Sequence, residues 1–184
     1  LRNSTATNDG DKYGIYFQAF NLSNPLTTIT VNTLMDETDG SIIDGDISLR
    51  DAVLAANAGD TIIFDAALNG MTLVLTLGEI NLNKNLTILG NRADCTNQIT
   101  ISGNNATRIF STGNTVTVEG LNFINGSSDN GGAMAIGGNG VVTFNYCSFT
   151  NNTVVYQGGA IRMEGNNTLM LNNCSITGNS CGTV

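Results

Sequence analysis

The fold is decided by a sequence that occurs twice in the chain. Residues 130–152 read NGGAMAIGGNGVVTFNYCSFTNN, and residues 157–179 read QGGAIRMEGNNTLMLNNCSITGN. The copies lie 27 residues apart without insertion or deletion, and ten of the 22 positions from 131 to 152 keep the same residue. Such a constant period indicates that each copy is one structural unit stacked on the next.

Two weaker copies precede this pair. The sequence RIFSTGNTVTVEGLNFING, which starts at Arg108, aligns with the first copy at an offset of 26 residues. We align the earlier stretch GEINLNKNLTILG so that Leu86 and Ile88 fall at the positions of Leu121 and Phe123. The next residues, NRADCTNQ (91–98), then form a loop inserted into one turn.

Inside each copy, apolar residues alternate with Thr, Asn or Ser in short runs bounded by Gly and Asn, which is typical of β-strands. A single coil of about 26 residues buries too few apolar side chains to offset the cost of ordering it, so turns must stack. Stacked parallel strands lie about 4.8 Å apart, and equivalent side chains then touch. The sequence predicts an all-β fold, a right-handed parallel β-helix (solenoid) of about 4–5 coils over residues 60–184.

Residues 47–59 interrupt this pattern with helical spacing. Ser48 is placed to cap a helix, with Asp51 three residues later. An apolar stripe at helical spacing follows: Leu49, Ala52, Val53 and Ala56. Because terminal turns of a solenoid expose apolar side chains and strand edges, we expect an N-terminal capping helix here. Residues 1–46 are then an extended segment and an acidic loop, which we expect to take part in subunit contacts.

Composition excludes several functional classes. The net charge is −8 and the pI about 4.1, which argues against nucleic acid or an anionic membrane as partner. The sequence contains no apolar run of about 18 residues, so we expect no membrane span. It contains no histidine, which excludes a Ser-His-Asp triad and a His-ligated zinc site.

Several motifs together resemble a known family. The strings SLRDAVLAAN, GDTIIFD and LTILG, with repeated Gly-Gly-Ala and Phe-x-x-Asn, look like the bacterial extracellular β-helix family of chlamydial polymorphic outer-membrane proteins and related adhesin-like surface proteins. The resemblance covers residues 48–181. It departs at Ile47, where the family usually has Cys, and at Ile176, which replaces Phe in the last copy. The resemblance implies a secreted or cell-surface protein with a structural or adhesive role, and it supplies no catalytic residue.

The residues themselves favour a protein that is not an enzyme and needs no cofactor. Polysaccharide lyases and hydrolases also use parallel β-helices, but they need clustered acids. The acids after residue 70 do not recur at equivalent positions in neighbouring repeats: Glu79, Asp94, Glu119, Asp129 and Glu164. Arg108 and Arg162 lie one position out of register, which predicts that they point to opposite faces.

Two alternative functions stay open. One is a carbohydrate-binding or polysaccharide-cleaving module, which an aligned acidic or aromatic groove would favour. The other is ice binding, which needs a continuous plane of threonines on one face. Thr117 and Thr143 begin such a row, but Met170 follows them in the next copy.

An acidic stretch, DETDGSIIDGD, contains weak candidates for calcium ligands: Asp36, Asp39, Asp44 and Asp46. Carboxylate oxygens suit calcium, yet the spacing lacks the order of a recognised calcium loop. A solvated acidic turn is the alternative interpretation.

The chain contains four cysteines, which are candidates for disulfide bonds. Cys147 and Cys174 occupy the same repeat position, which we also assign to Leu86 and Leu121, so they should face inward on adjacent turns. They either form a disulfide or remain buried free thiols. Two others are too far apart for an easy pair and are candidates for free or intermolecular thiols: Cys95 and Cys181.

The sequence also contains eight Asn-x-Ser/Thr sites, which are candidates for glycosylation in a secreted protein. Turn and ladder chemistry is the competing explanation, because Asn tolerates left-handed corners and its amide bonds to its copy one turn away. The sites are Asn3, Asn21, Asn85, Asn105, Asn125, Asn151, Asn166 and Asn173.

We expect the last coil to leave an uncovered edge, because nothing after Asn179 resembles a cap. Near the other end, KYGIYFQAFNLSNPLTTITVNT is apolar, β-prone and outside the repeats. An open edge and a spare extended segment predict strand addition between copies, hence self-association head-to-tail into a filament. Padding of the solenoid side is the alternative use of that segment. A surface receptor or a glycan is the other expected partner.

Overall fold

The chain forms a parallel β-helix. The computed structural model describes residues 2–4, 17–19, 25–90 and 96–182. Each turn runs through three or four short strands, and each strand pairs in parallel with its equivalents one turn before and one turn after. The predicted all-β solenoid is confirmed, with about four turns and the start of another.

Two sheets form the longest ladders. Sheet 1 contains β3 (Thr28–Val31), β4 (Thr61–Phe64), β7 (Leu86–Leu89), β10 (Val116–Glu119), β14 (Val141–Asn145) and β18 (Thr168–Asn172). Sheet 2 contains β5 (Thr72–Val74), β8 (Ile99–Ser102), β11 (Leu121–Ile124), β15 (Ser148–Thr150) and β19 (Ser175–Thr177). The chain passes from sheet 1 to sheet 2 in every turn.

Two further sheets complete the turns. Sheet 3 contains β12 (Ser127–Asn130), β16 (Thr153–Gln157) and β20 (Ser180–Cys181). Sheet 4 contains β6 (Ile80–Leu82), β9 (Phe110–Thr112), β13 (Met134–Ile136) and β17 (Ile161–Met163). Outside these sheets, β1 (Arg2–Ser4) and β2 (Phe17–Ala19) pair antiparallel with each other.

The register confirms the strong repeats and corrects the weakest one. Val142 pairs with Leu169, as the 27-residue offset predicts. The alignment of Leu86 and Ile88 was wrong: they lie in sheet 1 beside Val116 and Val118, five residues earlier than predicted. A short apolar-x-apolar run fits either strand of a turn, so the pattern alone did not distinguish the two sheets.

Two corners of the turn have a left-handed backbone, with φ between 53° and 66° in three successive turns. Glycine and asparagine adopt this conformation at low cost, which explains why these residue types recur there. Tyr146 is the exception. The first corner contains Gly120, Tyr146 and Asn173; the second contains Asn125, Asn151 and Gly178.

Aromatic side chains fill the middle of the core. Phe123 stacks on Phe149, with ring centroids 5.0 Å apart and planes 16° apart. Phe123 also makes edge-to-face contacts with Phe110 and Phe144, whose ring centroids lie 5.6 and 5.9 Å from its own. All four rings are buried. The side chain of Phe123 therefore connects the cores of three successive turns.

The predicted helix forms as α1 (Leu49–Ala55), and its apolar stripe is buried in the common core. The Ser48 oxygen accepts a hydrogen bond from Asp51 N at 3.0 Å, as the capping pattern predicts. Lys84 donates to the carbonyls at the other end of the helix, those of Val53, Leu54 and Ala56. That α1 acts as the cap of the solenoid stays a prediction.

The strand β3 shows where part of the N-terminal segment lies. It pairs in parallel with β4 at the edge of sheet 1. Thr28–Val31 is therefore used within the chain, and a donor strand for another copy must come from residues before it.

Asp60 ties β3 to the first turn and makes stability depend on pH. Its carboxylate accepts hydrogen bonds from Thr27 N, Thr27 Oγ1 and Asn57 N, each at 2.8 Å. These bonds, led by the one from Thr27 N, lower the pKa of Asp60. A carboxyl group whose pKa is lower in the folded state stabilises the fold at pH values above its unfolded-state pKa, about 3.9 for Asp. This stabilisation is lost as the pH falls through the folded-state pKa.

We therefore expect the urea midpoint to fall between pH 7 and pH 3, and to fall less in Asp60→Asn. Asp46 provides a contrast, because the neighbouring Asp44 raises its pKa. The ionisation of Asp46 opposes folding, so between pH 7 and pH 3 the urea midpoint of Asp46→Asn should fall at least as much as that of the parent. An equal loss in Asp60→Asn and the parent would contradict this role for Asp60.

Candidate functional site

The last turn presents apolar side chains that are buried in every earlier turn. Leu171 is 39% exposed and Ile176 is 52% exposed, whereas their partners one turn earlier, Phe144 and Phe149, are fully buried. These side chains line a depression of about 500 Å³. We define the last-turn face as the inward positions of this turn: Leu169, Leu171, Cys174, Ile176 and Asn179.

A ladder of asparagine amides runs along the axis and reaches this face. Asn152 is buried; its Oδ1 accepts from Gly126 N at 2.7 Å and its Nδ2 donates to Phe123 O at 3.1 Å. Asn179 repeats both bonds one turn later, accepting from Asn152 N at 2.9 Å and donating to Phe149 O at 2.8 Å. Each amide thus satisfies backbone groups of the turn before it.

At the opposite end of the solenoid the core positions are buried. The inward residues of the first turn, such as Ile62, Leu73 and Ile80, are buried. They share one core with the apolar side chains of α1 and of β3. The two ends therefore differ in the part of the chain that the structure describes, and only the later end presents its core residues.

A second feature is a groove of about 350 Å³ on the outer face of sheet 4. One register column, made of Asn81, Ser111, Ala135 and Arg162, crosses four turns and supplies its floor. Arg162 forms an ion pair with Glu164 at one side of the floor. A small-residue floor bordered by a guanidinium and a carboxylate suits hydroxyl groups, which donate and accept hydrogen bonds.

The prediction that Arg108 and Arg162 point to opposite faces was wrong. Arg108 lies just before β9, and its Nε donates to Gly131 O at 3.0 Å. A Cβ placed on Gly131 would lie 3.1 Å from the Cβ of Arg162. Because both arginines lie next to Gly131, they are on the same side of the solenoid. Arg108 also pairs with Glu79, which accepts from Ser111 in the groove floor at 3.2 Å.

Glu164 lines this groove, and Glu79 accepts a hydrogen bond from its floor residue Ser111, but the two carboxylates are not arranged as a catalytic pair. Glu79 precedes β6 and Glu164 follows β17, three ladder steps away in sheet 4. Three steps correspond to about 14 Å at the spacing of paired strands. Glycosidases hold their two carboxyl groups about 5–9.5 Å apart, so Glu79 and Glu164 are too far apart to form such a pair.

The threonine row is longer than the sequence suggested. On the outer face of sheet 1 it runs in register through Thr28, Thr61, Thr87, Thr117 and Thr143, and it ends at Met170. The next outward column contains mixed residues, including Leu89, Glu119 and Asn145. The threonines thus form a single column and not the plane of threonines that ice binding needs.

The acidic loop does not assemble its calcium candidates into one site. Asp36 is occupied: it pairs with Arg50 at 2.8 Å and accepts from Thr76 N and Leu77 N. Burial raises its pKa, but these bonds outweigh burial and the net pKa is lowered. Within the described ranges, no three acidic or cysteine side chains lie together as metal ligands; Asp39, Asp44 and Asp46 remain candidates from sequence alone.

Acidic neighbours also act on Glu37, whose Oε1 is buried without a hydrogen-bond partner among the described residues. Desolvation, followed by the charges of Asp46 and Asp39, raises the pKa of Glu37. Asp44 is affected in the other direction, because a hydrogen bond with Ser41 lowers its pKa. The loop is thus a crowded group of carboxylates.

Cys147 and Cys174 precede paired strands on adjacent turns, in the column of Leu121 and Ile99. The prediction that Leu86 belongs to this column was wrong, because Leu86 lies in sheet 1 beside Val116. The structure holds both cysteines as free thiols, and burial raises the pKa of Cys147 to about 12. Cys181 is an exposed free thiol. Cys95 lies outside the described residues.

Local structure explains many of the candidate glycosylation sites. Asn105, Asn125, Asn151 and Asn173 have positive φ and form corners, and Asn85 accepts from Thr115 N at 3.0 Å. Asn166 is exposed. Occupancy by glycans stays a prediction for all of them; Asn21 and the side chain of Asn3 lie outside the description.

Fold and surfaces together define a parallel β-solenoid with exposed core positions in its last described turn and a polar side groove. None of the helices in the described part of the chain has the length and apolar character needed to cross a membrane. No protein-family model matches the chain, and no curated protein or solved structure matches it either. The resemblance to adhesin-like surface proteins therefore depends on the quoted motifs alone.

Proposed function

We propose that this chain is a non-catalytic structural and adhesive β-solenoid that acts outside the cell, secreted or on the cell surface. Its last turn serves as an assembly surface, to which strands add so that copies join head-to-tail into a filament. The observation that carries this proposal is the exposure of Leu171 and Ile176, at positions that are fully buried one turn earlier.

Energetics support an assembly role for this face. Large apolar side chains that cluster on a surface usually mark an interaction site, and β18 and β19 each have one edge without a paired strand among the described residues. Covering both the side chains and the strand edges requires added β-structure. The extracellular location is supported by the resemblance of residues 48–181 to surface proteins.

The assembly proposal predicts concentration-dependent association. We expect sedimentation velocity to show growing species as the concentration rises, and electron microscopy to show filaments. Ile176→Asp should weaken association at least about tenfold, because burying a carboxylate without a partner costs more than one factor of ten in an equilibrium constant.

Ile43→Asp is the matched control. Ile43 is 94% exposed in the acidic loop, far from the last turn along the chain, and its replacement should leave association unchanged. Monodisperse particles at high concentration would contradict the proposal, as would equal effects of the two substitutions.

A second candidate function, carbohydrate binding, is favoured by the sheet 4 groove. Seven lysines and arginines occur in the whole chain. Beyond residue 96 the cations are Arg108 and Arg162, and Arg162 lines this groove. Arg162 is paired with Glu164, which also lines the groove, so the charge of the groove is locally balanced in an acidic protein. Such a lining suits an uncharged, hydroxyl-rich oligosaccharide.

We expect a screen of immobilised neutral oligosaccharides to find a binder, and Arg162→Ala to weaken that binding about tenfold through the loss of charge-assisted hydrogen bonds. Tyr156→Ala is the comparison, because Tyr156 is an exposed aromatic residue on sheet 3. A loss of binding in Tyr156→Ala and not in Arg162→Ala would place the sugar elsewhere.

A further inference from the structure

The sequence contains four Asn-Gly pairs, a dipeptide that is prone to spontaneous deamidation because glycine has no side chain to obstruct its own nitrogen. In this reaction the glycine backbone nitrogen loses its proton and attacks Cγ of the asparagine. A C–N bond forms, the side-chain amide leaves as ammonia, and water opens the resulting succinimide to aspartate or isoaspartate. The pairs are Asn69-Gly70, Asn125-Gly126, Asn130-Gly131 and Asn139-Gly140.

Packing between turns requires glycine in these pairs. A Cβ added to Gly140 would collide with the carbonyl oxygen of Asn114, one turn earlier. A Cβ added to Gly70, Gly126 or Gly131 would also lie too close to neighbouring atoms. The fold therefore keeps a chemically labile dipeptide at each of these positions.

The stacked turns also hold the nitrogen of each glycine. Gly70 N donates to Asn97 O at 2.9 Å, and Gly131 N donates to Gln157 O at 2.9 Å. A nitrogen held in this way closes the succinimide ring slowly, because the attack requires loss of the N–H proton and rotation of the peptide group. In these two pairs the acceptor is a backbone carbonyl of the next turn, which no substitution removes.

Side chains supply the acceptor in the other two pairs. Gly126 N donates to Asn152 Oδ1 at 2.7 Å, within the buried ladder. Gly140 N donates to Asn167 Oδ1 at 2.9 Å, and Asn167 is only partly buried. Of the four asparagines of these pairs, all of them within the described ranges, Asn139 alone is exposed. The pair at Asn139 thus combines an accessible amide with an acceptor that local opening releases.

We propose that Asn139 is a modification site, at which deamidation is controlled by the Asn167 amide of the following turn. The bond from Gly140 N to Asn167 Oδ1 suppresses the reaction, and each local opening of the turn permits it. The product carries a negative charge two residues after Gly137, which lines the sheet 4 groove. An isoaspartate product also lengthens the backbone between β13 and β14 by one carbon. The inference goes beyond assembly and sugar binding and depends on neither.

The test follows deamidation of the folded full chain at mildly alkaline pH, by mass spectrometry of its peptides. We expect Asn139 to react at least about tenfold more slowly in the folded parent than in the chain unfolded by guanidinium chloride. Asn167→Ala removes the acceptor and should speed the reaction at Asn139 about fivefold, the effect of one net hydrogen bond. Asn69 and Asn130 should keep their parental rates, because their glycines bind backbone carbonyls.

Two further variants make the test specific. Asn167→Asp keeps an acceptor oxygen and should keep the reaction at Asn139 slow. Asn166→Ala is the matched control, since Asn166 is the exposed neighbour of Asn167, and it should leave the rate unchanged.

Three results would overturn the inference. The first is a parental rate at Asn139 in Asn167→Ala, and the second is an equal acceleration in Asn167→Asp, since the oxygen would then not matter. The third is an equal acceleration at Asn130 in Asn167→Ala, because the folding of the turn as a whole, and not the Asn167 oxygen, would then control the reaction.

Discussion

Replacement of Phe123 by alanine is expected to lower the free energy of unfolding by about 3–5 kcal/mol. Phe123 contacts the rings of Phe110, Phe144 and Phe149, which belong to the turns before and after its own. Its removal leaves a cavity that the stacked strands cannot close, because their spacing is fixed by backbone hydrogen bonds. Urea unfolding followed by circular dichroism measures the loss.

Two further variants keep this prediction testable if the alanine variant fails to fold. Phe123→Leu retains most of the apolar volume and should cost only about 1–2 kcal/mol. Tyr156→Ala removes an aromatic ring that is 57% exposed and should change stability by no more than about 0.5 kcal/mol. A Phe123→Ala loss no larger than that of Tyr156→Ala would contradict the proposed packing of the core.

Asn152→Ala is expected to be the second most damaging substitution, at about 2–4 kcal/mol. The change removes the partner of Gly126 N and of Phe123 O, and both groups lie where water does not replace it. A buried donor or acceptor without a partner costs about 1–3 kcal/mol. Equilibrium unfolding measures the loss, and the Gly126 amide should exchange faster in the variant.

Asn172→Ala is the matched control for the ladder. Asn172 also donates from one turn to the next, to Asn145 Oδ1 at 2.9 Å, but it is exposed and water replaces the lost bond. Its substitution should cost less than about 1 kcal/mol. Equal costs for the two substitutions would show that the buried ladder does not specify the stacking.

The fold was largely predictable from the sequence because stacking forces equivalent residues to match. Val142 and Leu169 are adjacent in space for the same reason that they are similar in type. The prediction failed at Leu86, where residues 91–98 interrupt the period. In register, Val116 follows Leu86 by 30 residues, while Leu121 follows Ile99 by only 22.

The side groove was less predictable. Alternation assigns faces only within a strand, and Arg108 lies before β9, where its long side chain reaches Gly131 O independently of the pleat. The ladder was visible as a recurring final asparagine, but its directional bonding depends on corner geometry that a residue pattern does not contain. Glu79 carried no repeat signal at all, since it pairs across turns with Arg108.

The local stability of each turn depends on its place in the stack, because the core is complete in the middle turns and incomplete in the last described turn. Hydrogen exchange followed by mass spectrometry across the turns tests it most directly. We predict the slowest exchange in β10 and β14, and clearly faster exchange in β18 to β20. Exchange in β18 to β20 as slow as in β10, or β10 exchanging fastest of all, would contradict the account.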